Sequence, residues 1–149
     1  MKQHSVKSVP VIDEAKMLVG IVTVGDLAKR YFDELEMQDL RETGVDFSGI
    51  LGVLDGKLIL GENLAQKITG KVRIAGARIH TLEKVFKPGD VVLVGDRNKA
   101  QQVSINCKIA CLVLTGNAEP EEAVIEAARA QGTLIIQTPY DTYTCFRWA

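Results

Sequence analysis

Three short, almost uninterrupted apolar runs constrain the fold of this chain more than any other feature of its sequence. They are "DVVLVG" (90–95), "IACLVLTG" (109–116) and "TLIIQT" (133–138), and segments with a helical pattern separate them. Strands that are apolar along their whole length are typical of a parallel sheet covered on both faces. The alternation of strand and helix with short connections predicts an α/β domain on a mostly parallel sheet. The order of the strands stays open.

The flanking segments continue this alternation. We expect a short helix with Asp46 as its N-cap and Gly56 at its end. Pro120 is expected at the first position of the last long helix, with acidic residues in its first turn and Gly132 closing it. Further strands are predicted over 57–60 and 71–76, and helices over 78–86, 97–105 and 119–132.

The beginning of the chain has a different pattern. Two β-branched runs, "SVPVI" (8–12) and "LVGIVT" (18–23), predict a strand pair joined by a tight connection. A helix is expected to begin near Val24, with Asp26 in its first turn. Its apolar stripe would consist of Leu27, Tyr31 and Leu35. The polar segment after it predicts a domain boundary, with a linker over 37–45.

The end of the chain predicts one more helix. In "TPYDTYT", Pro139 can stand just before or within the first turn, and Asp141 or Thr142 can cap the helix. Only "CFRWA" follows. We therefore treat 139–149 as the start of a truncated further element, and we expect the chain to be a piece of a longer polypeptide.

Composition excludes several classes of partner. The chain has 149 residues, a formal net charge of −1 and 25% charged residues, so it offers no basic surface for nucleic acid or an anionic membrane. No apolar run approaches the roughly 18 residues that a spanning helix requires. Its three cysteines have no paired spacing, which favours a reducing, cytoplasmic location.

The sequence offers little for catalysis or metal binding. His4 and His80 are far apart, and neither belongs to a metal-ligand pair. Cys107 and Cys111 lie on an apolar run, so they are interpreted as small buried side chains rather than as zinc or redox groups. No nucleophile-elbow, Walker-type or dinucleotide-binding motif is present. We predict no catalytic residue and no metal ligand in this chain.

Two strand ends carry polar residues that stand out. They are "VGDR" (94–97) and "LTGN" (114–117). Loops at the carboxyl edge of a parallel sheet lead into helix N-termini, which attract anions. If the two strands are neighbours, Arg97 could bind Asp96, the Thr115 hydroxyl or nearby carbonyls. A network that fixes the turns and a ligand site are both open, and turn chemistry favours the first.

The pair Thr23 and Asp26 also has two possible roles, ligand binding and helix capping. A threonine at the end of a strand and an aspartate one turn into the following helix would both face the exit of the strand. Oxygen-bearing side chains beside helix N–H groups suit a sugar diol or a phosphate. Capping by Thr23, with Asp26 at the positive end of the helix, explains the spacing equally well.

Residues 1–36 resemble the second half of a cystathionine β-synthase (CBS) domain. The resemblance rests on "SVPVID" (8–13) and the "G-h-h-T-x-x-D" pattern of "GIVTVGD" (20–26), where h is apolar. In that family, the aspartate typically contacts the ribose hydroxyls of an adenine nucleotide and the threonine the phosphates or ribose. The backbone around "SVPV" contacts the base. The resemblance implies these roles for Asp26, for Thr23, and for Ser8, Val9, Pro10 and Val11.

Residues 46–138 resemble a DRTGG domain, which implies a three-layer α/β fold with a mostly parallel sheet. Four of the signature residues of that family correspond to Asp96, Arg97, Thr115 and Gly116. Asn117 stands where the last glycine of the signature would be. Asparagine tolerates a left-handed backbone better than most residues, so the departure is conservative if that position needs one.

The order of the segments is similar to the CBS-DRTGG-CBS regulatory insert of manganese-dependent family II inorganic pyrophosphatases. The resemblance implies a non-catalytic regulatory fragment that senses AMP, ADP or a diadenosine polyphosphate. Its implied partners are a second copy in a homodimer, a second CBS domain and the catalytic domains of a parent hydrolase. Manganese would belong only to that parent's catalytic domain, and this chain would hold no cofactor.

Three other functions stay open at this point. The chain could be a purely structural dimerisation module, or a regulatory part of a phosphate acetyltransferase-like protein. A small phosphotransfer or acyl-transfer enzyme that uses Asp96 and Arg97 is the least favoured, because no nucleophile or general base accompanies these two residues.

Overall fold

The computed structural model of the chain describes residues 8–27, residue 30 and residues 44–148. It divides the chain into two compact units, Met1–Met37 and Gln38–Ala149. We call the described residues of the first the hairpin unit and those of the second the sheet unit. His4, Tyr31, Leu35 and most of the predicted linker lie outside the described residues.

The hairpin unit consists of two antiparallel strands followed by a helical turn, as predicted. Strand β1 spans Ser8–Ile12 and β2 spans Leu18–Thr23. The Asp13 carboxylate accepts a hydrogen bond from the Met17 amide (2.9 Å), which closes the connection. Residues 24–27 are helical, so the helix begins where the sequence predicts it.

The sheet unit contains a five-stranded sheet with the order β3-β7-β6-β5-β4. Its strands are β3 (Lys57–Leu60), β4 (Val72–Ile74), β5 (Val91–Val94), β6 (Cys111–Leu114) and β7 (Leu134–Gln137). The pairs β4–β5, β5–β6 and β6–β7 are parallel, whereas β3 is antiparallel to β7. The prediction of a mostly parallel sheet is confirmed, and the structure supplies the strand order.

Five helices complete the described part of the sheet unit. They are α1 (Phe47–Val53), α2 (Ile79–Val85), α3 (Asn98–Asn106), α4 (Glu122–Gln131) and α5 (Thr142–Trp148). Asp46 caps α1 as predicted, accepting hydrogen bonds from the Ser48 hydroxyl (2.6 Å) and the Gly49 amide (2.9 Å). These bonds hold the pKa of Asp46 below its usual value. Gly132, with φ 71°, ends α4 in the left-handed conformation that was expected.

Two predicted helix boundaries are wrong by two or three residues. Helix α1 ends at Val53 and not at Gly56, because Asp55 already takes a left-handed backbone (φ 48°). Gly56 serves close packing instead, since a Cβ there would lie 2.8 Å from Ile136. Helix α4 begins at Glu122, so Pro120 precedes it. Glu121 between them keeps an extended backbone.

The core lies on both faces of the central strands. All residues of β5 and β6 are buried, as are Leu134, Ile135 and Ile136 of β7. On one face, Leu82, Ile105 and Val124 bring α2, α3 and α4 against the sheet. The alternate residues of the same strands, which point to the other face, are also buried. The continuous apolar runs therefore indicated doubly covered strands correctly. None of the helices in the described part of the chain is long and apolar enough to cross a membrane.

A buried ion pair fixes the amino edge of this sheet. Asp90, which is 3% exposed, accepts hydrogen bonds from the backbone amides of Lys71 (3.0 Å) and Lys87 (2.9 Å) and from Nε of Arg73 (2.6 Å). One carboxylate thus holds the start of β4, the start of β5 and the connection that follows α2. Such a charge is tolerated in a protein interior because it is paired and hydrogen-bonded.

Candidate functional site

The predicted nucleotide-binding residues lie on the hairpin unit, and several of them meet at one end of it. Ser8 is the register partner of Thr23, so the start of β1 lies beside the end of β2. Asp26 follows in the first helical turn. Val9, Pro10 and Val11 continue along β1 towards the connection. The strand register therefore brings Ser8 beside Thr23, and Asp26 lies three residues after Thr23 in the helical turn.

Thr23 and Asp26 form a reciprocal cap at the helix start. The Asp26 carboxylate accepts from the Thr23 amide (2.8 Å) and the Thr23 hydroxyl (2.7 Å), while the Thr23 hydroxyl oxygen accepts from the Asp26 amide (3.1 Å). This is the geometry of a capping box with aspartate in place of glutamate. Capping is thus an observed role of the pair. A contact of the same exposed oxygens with ribose or phosphate stays a prediction.

Arg97, at the carboxyl end of β5, binds the neighbouring loop of the sheet. Its Nη1 donates to the carbonyls of Ala75 (2.9 Å) and Ala77 (3.3 Å), and its Nη2 also donates to Ala77 (3.3 Å). Of the partners considered from the sequence, the bonds found go to nearby carbonyls and not to Asp96 or Thr115. Asp96 is exposed beside it. The guanidinium therefore ties the loop after β4 to the end of β5.

Thr115, Gly116 and Asn117, after β6, bind the segment that follows β7. The amide of Gly116 donates to the Tyr140 carbonyl (2.8 Å) and that of Asn117 to the Thr138 carbonyl (2.9 Å). Gly116 and Asn117 are both left-handed, with φ 63° and 56°. The conformation that makes asparagine a conservative replacement for glycine is present at this position.

The Thr115 side chain makes a contact that the sequence did not reveal. Its hydroxyl, 4% exposed, pairs with the hydroxyl of Thr142 at 2.8 Å. Thr142 is the first residue of α5, and the sequence indicates that helix but not where it packs. Recognising the pair requires knowing that the chain passes from β7 over the end of β6.

Two polar residues of α3 complete this edge and were also missed. The Asn98 amide donates to the Glu121 carboxylate (2.5 Å), which joins the starts of α3 and α4. Gln101 is wholly buried, and its Nε2 donates to the Gly95 carbonyl (2.8 Å). The only sequence signal was its position four residues before Ile105, on the apolar face of α3.

The three cysteines and His80 add no reactive group to this edge. Burial raises the pKa of the Cys111 thiol well above its usual value and that of Cys145 to about 11. It also raises the pKa of Cys107. His80 is exposed on α2. Across the part of the chain that the structure describes, no three His, Cys, Asp or Glu side chains are grouped so as to hold a metal ion.

Comparison with known families accounts for both units. The model of the DRTGG domain matches residues 49–148, two thirds of the chain. The chain belongs to the DRTGG domain family. The model of the CBS domain matches residues 1–33. The DRTGG match includes α5, which packs against β4 and β5 within the sheet unit, although the sequence assigned 139–149 to a further element.

Two curated relatives resemble this DRTGG chain over nearly its whole length. A cobalt-dependent inorganic pyrophosphatase of Clostridium perfringens is 27% identical over 99% of the chain. A probable manganese-dependent inorganic pyrophosphatase of Thermotoga maritima is 27% identical over 97% of it. The chain spans 27% and 26% of these proteins. It thus corresponds to about a quarter of each relative.

A solved structure contains domains of both families. It contains the CBS and DRTGG domains of the regulatory region of Clostridium perfringens pyrophosphatase, complexed with its activator diadenosine tetraphosphate. The match has a TM-score of 0.70 and 27% identity, and it covers 99% of this chain and 64% of that one. This DRTGG chain with its partial CBS domain is therefore homologous to that regulatory region.

Proposed function

We propose that this chain is a non-catalytic regulatory fragment of an inorganic pyrophosphatase and that it senses adenine nucleotide through its hairpin unit. One observation carries the proposal. Ninety-nine per cent of the chain matches a regulatory region solved with a diadenosine tetraphosphate activator. The relatives named for pyrophosphatase activity are about four times as long as the match, so hydrolysis belongs to other parts of the parent.

The nucleotide site that we propose is the end of the hairpin where Ser8 and Thr23 are register partners. The Asp26 carboxylate, which is already ordered by Thr23, would accept hydrogen bonds from ribose hydroxyls. Thr23 would contact phosphate or ribose, and the backbone of Ser8, Val9, Pro10 and Val11 would contact the base. A carboxylate that is held in place before binding loses little conformational entropy when the ligand arrives.

The apolar surface of the hairpin unit supports a partner for this site. Nine of its large apolar side chains are exposed: Val9, Val11, Ile12, Met17, Leu18, Val19, Ile21, Val24 and Leu27. Exposed apolar side chains at this density are typical of an interaction surface. We propose that a second CBS domain of the parent covers them and completes the nucleotide cleft.

Regulation requires that the nucleotide prefer one arrangement of the two CBS domains. In a homodimer of the parent, the sheet unit would transmit that preference between copies and towards the catalytic domains. The described residues offer no metal ligand set. We therefore assign the manganese or cobalt named for the relatives to the parent's catalytic domain and not to this fragment.

Calorimetric titration tests the nucleotide role. AMP, ADP and diadenosine tetraphosphate are titrated into the 149-residue chain and into a version extended at both ends by the adjoining coding sequence. We expect binding by the extended protein, and an Asp26→Asn variant should weaken it about 10- to 100-fold because hydrogen bonds to a charged group are lost. Glu14→Gln, in the connection at the opposite end of the hairpin, is the matched control. Absence of binding in both proteins would refute the nucleotide role.

A purely structural dimerisation module is the second candidate, and the same exposed apolar side chains favour it. It predicts self-association with no response to nucleotide. Light scattering over a range of protein concentrations, with and without diadenosine tetraphosphate, separates the two functions. A dimer whose association constant is unchanged by nucleotides that also fail to bind would replace the regulatory proposal by the structural one.

A further inference from the structure

The chain crosses the end of a strand on its way to α5. We call residues 138–141, between β7 and α5, the crossing segment. Strand β7 lies on one side of β6, whereas α5 packs on β5 and β4, which lie on the other side. The crossing segment must therefore pass the carboxyl end of β6, where Thr115, Gly116 and Asn117 are located.

Three hydrogen bonds from the residues after β6 hold the chain at this crossing, and buried Thr138 anchors the start of the crossing segment by two more, from its amide to the Leu114 carbonyl (2.9 Å) and from its hydroxyl to the Leu54 carbonyl (2.6 Å). The amides of Gly116 and Asn117 donate to carbonyls of the crossing segment, and the Thr115 hydroxyl pairs with that of Thr142. Gly116 and Asn117 are successive left-handed residues, so both of their amides point at the crossing segment. Most other residues adopt this conformation only at a steric cost. The amides of Gly116 and Asn117 thus donate to this protein's own backbone, and the Thr115 hydroxyl pairs with a side chain of α5.

Helix α5 has a cap that does not depend on the sheet. The Asp141 carboxylate accepts from the Thr144 amide (2.8 Å) and hydroxyl (3.0 Å), and these bonds hold the pKa of Asp141 below its usual value. Beyond the anchor at Thr138, the helix is attached to the sheet by Cys145 and Phe146, which are buried, and by the three bonds from the residues after β6. A short element with its own cap and few attachments can open while the rest stays folded.

We propose that Thr115, Gly116 and Asn117 form a latch that positions α5, and that its release frees α5 and the chain after Thr138 as one unit from a folded sheet, while Thr138 stays anchored by its bonds to Leu114 and Leu54. The three residues are positioning residues, and what they position is the path of the chain as it leaves the sheet. The proposal goes beyond nucleotide sensing, because the latch needs no ligand and operates whether or not the hairpin unit binds one.

Hydrogen exchange of the full chain, followed by mass spectrometry, tests the latch. Thr115→Val keeps the shape of the side chain but removes the hydroxyl. We expect exchange in peptides covering 138–148 to become about 5- to 30-fold faster relative to peptides covering β6, as the loss of one buried hydrogen bond implies. Thr133→Val is the matched control, since the buried Thr133 hydroxyl donates to the Ile109 carbonyl (2.9 Å) at the opposite edge.

Thr133→Val should speed exchange throughout the sheet unit, without changing the ratio of the rate in peptides covering 138–148 to the rate in peptides covering β6. Equal ratios of α5 exchange to β6 exchange in Thr115→Val and Thr133→Val would overturn the latch, because α5 would then exchange only with global unfolding.

A second pair of variants, at Asn117, tests the latch if Thr115→Val fails to fold. Asn117→Gly keeps a left-handed backbone and should preserve protection of α5, whereas Asn117→Val should reduce it. Identical exchange in these two variants would also overturn the proposal.

Discussion

The two units of this chain use apolar residues in opposite ways. In the sheet unit, every residue of β5 and β6 is buried, and Leu112 is 0% exposed. In the hairpin unit, every residue of β1 is exposed, and Leu18 of β2 is 61% exposed although it has the same side chain. In the sheet unit, α2, α3, α4 and α5 cover the apolar side chains of the strands. In the hairpin unit, no described residues bury the apolar side chains of β1 and β2 in this way.

This difference teaches that similar strand sequences can serve stability in one unit and association in the other. A two-stranded hairpin is marginally stable in water, because it buries little apolar surface. A five-stranded sheet with helices packed on it can fold on its own. The hairpin unit is therefore expected to depend on a partner surface, and the sheet unit is not. Matched substitutions in the two units test this view.

The largest difference is expected for a matched pair of leucine substitutions. Leu112→Ala leaves a cavity in the centre of the sheet and should lower the free energy of unfolding by about 3–5 kcal/mol. Leu18→Ala removes an exposed side chain and should change it by no more than about 0.5 kcal/mol. Urea unfolding followed by far-ultraviolet circular dichroism measures both, because that signal comes from the backbone of both units and not from α5 alone.

The same pair reveals the partner surface when the extended parent is used. There, Leu18→Ala should weaken association or nucleotide binding, while Leu112→Ala should act through folding alone. Should Leu18→Ala destabilise the isolated 149-residue chain as much as Leu112→Ala does, the leucine would already be packed in solution. The contrast between the units would then be wrong.

Much of the fold was predictable from local patterns. The runs that became β5, β6 and β7 read as buried strands because their apolar residues are continuous. Asp46 was predicted as a cap, and Asp141 was one of two candidates with Thr142, because an oxygen-bearing side chain before a helix binds its free amides. The strand order and the antiparallel β3 were not predictable, because they depend on contacts between residues that are distant in the sequence.

The site at the carboxyl edge was predictable in position but not in its contacts. The sequence identified Arg97 and Thr115 as unusual polar residues at strand ends, and β5 and β6 are neighbours as that argument required. It did not identify Ala75 or Thr142 as their partners. Those partners come from loops after β4 and β7, so they follow only from the strand order. The role of Thr23 and Asp26 as a cap was one of two interpretations of their spacing; the structure shows the cap, and the nucleotide contact stays a proposal.

A matched pair of aspartates should give the next largest difference. Asp90→Asn leaves the Arg73 guanidinium without its charged partner at the buried edge of β4 and β5, and should lower the free energy of unfolding by about 3 kcal/mol. Asp26→Asn affects an exposed cap in the other unit, so the stability of the sheet unit should change by less than about 0.5 kcal/mol. The urea titration described above measures both. A loss below about 1 kcal/mol for Asp90→Asn would mean that the ion pair is solvated and does not fix this edge.

The smallest expected difference comes from two glycines. A Cβ at Gly70 would overlap the backbone carbonyl of Gly89, so Gly70→Ala should cost about 1–3 kcal/mol, because packed backbone has to move. A Cβ at Gly20 has no atom within 4 Å, and alanine in a strand is favoured over glycine by about 0.5 kcal/mol. Gly20→Ala should therefore slow hydrogen exchange in the hairpin and leave unfolding of the sheet unit unchanged. If Gly20→Ala instead accelerates that exchange in the isolated chain, the space around Gly20 is occupied in solution, and the hairpin unit already has the partner surface that we assign to a second CBS domain.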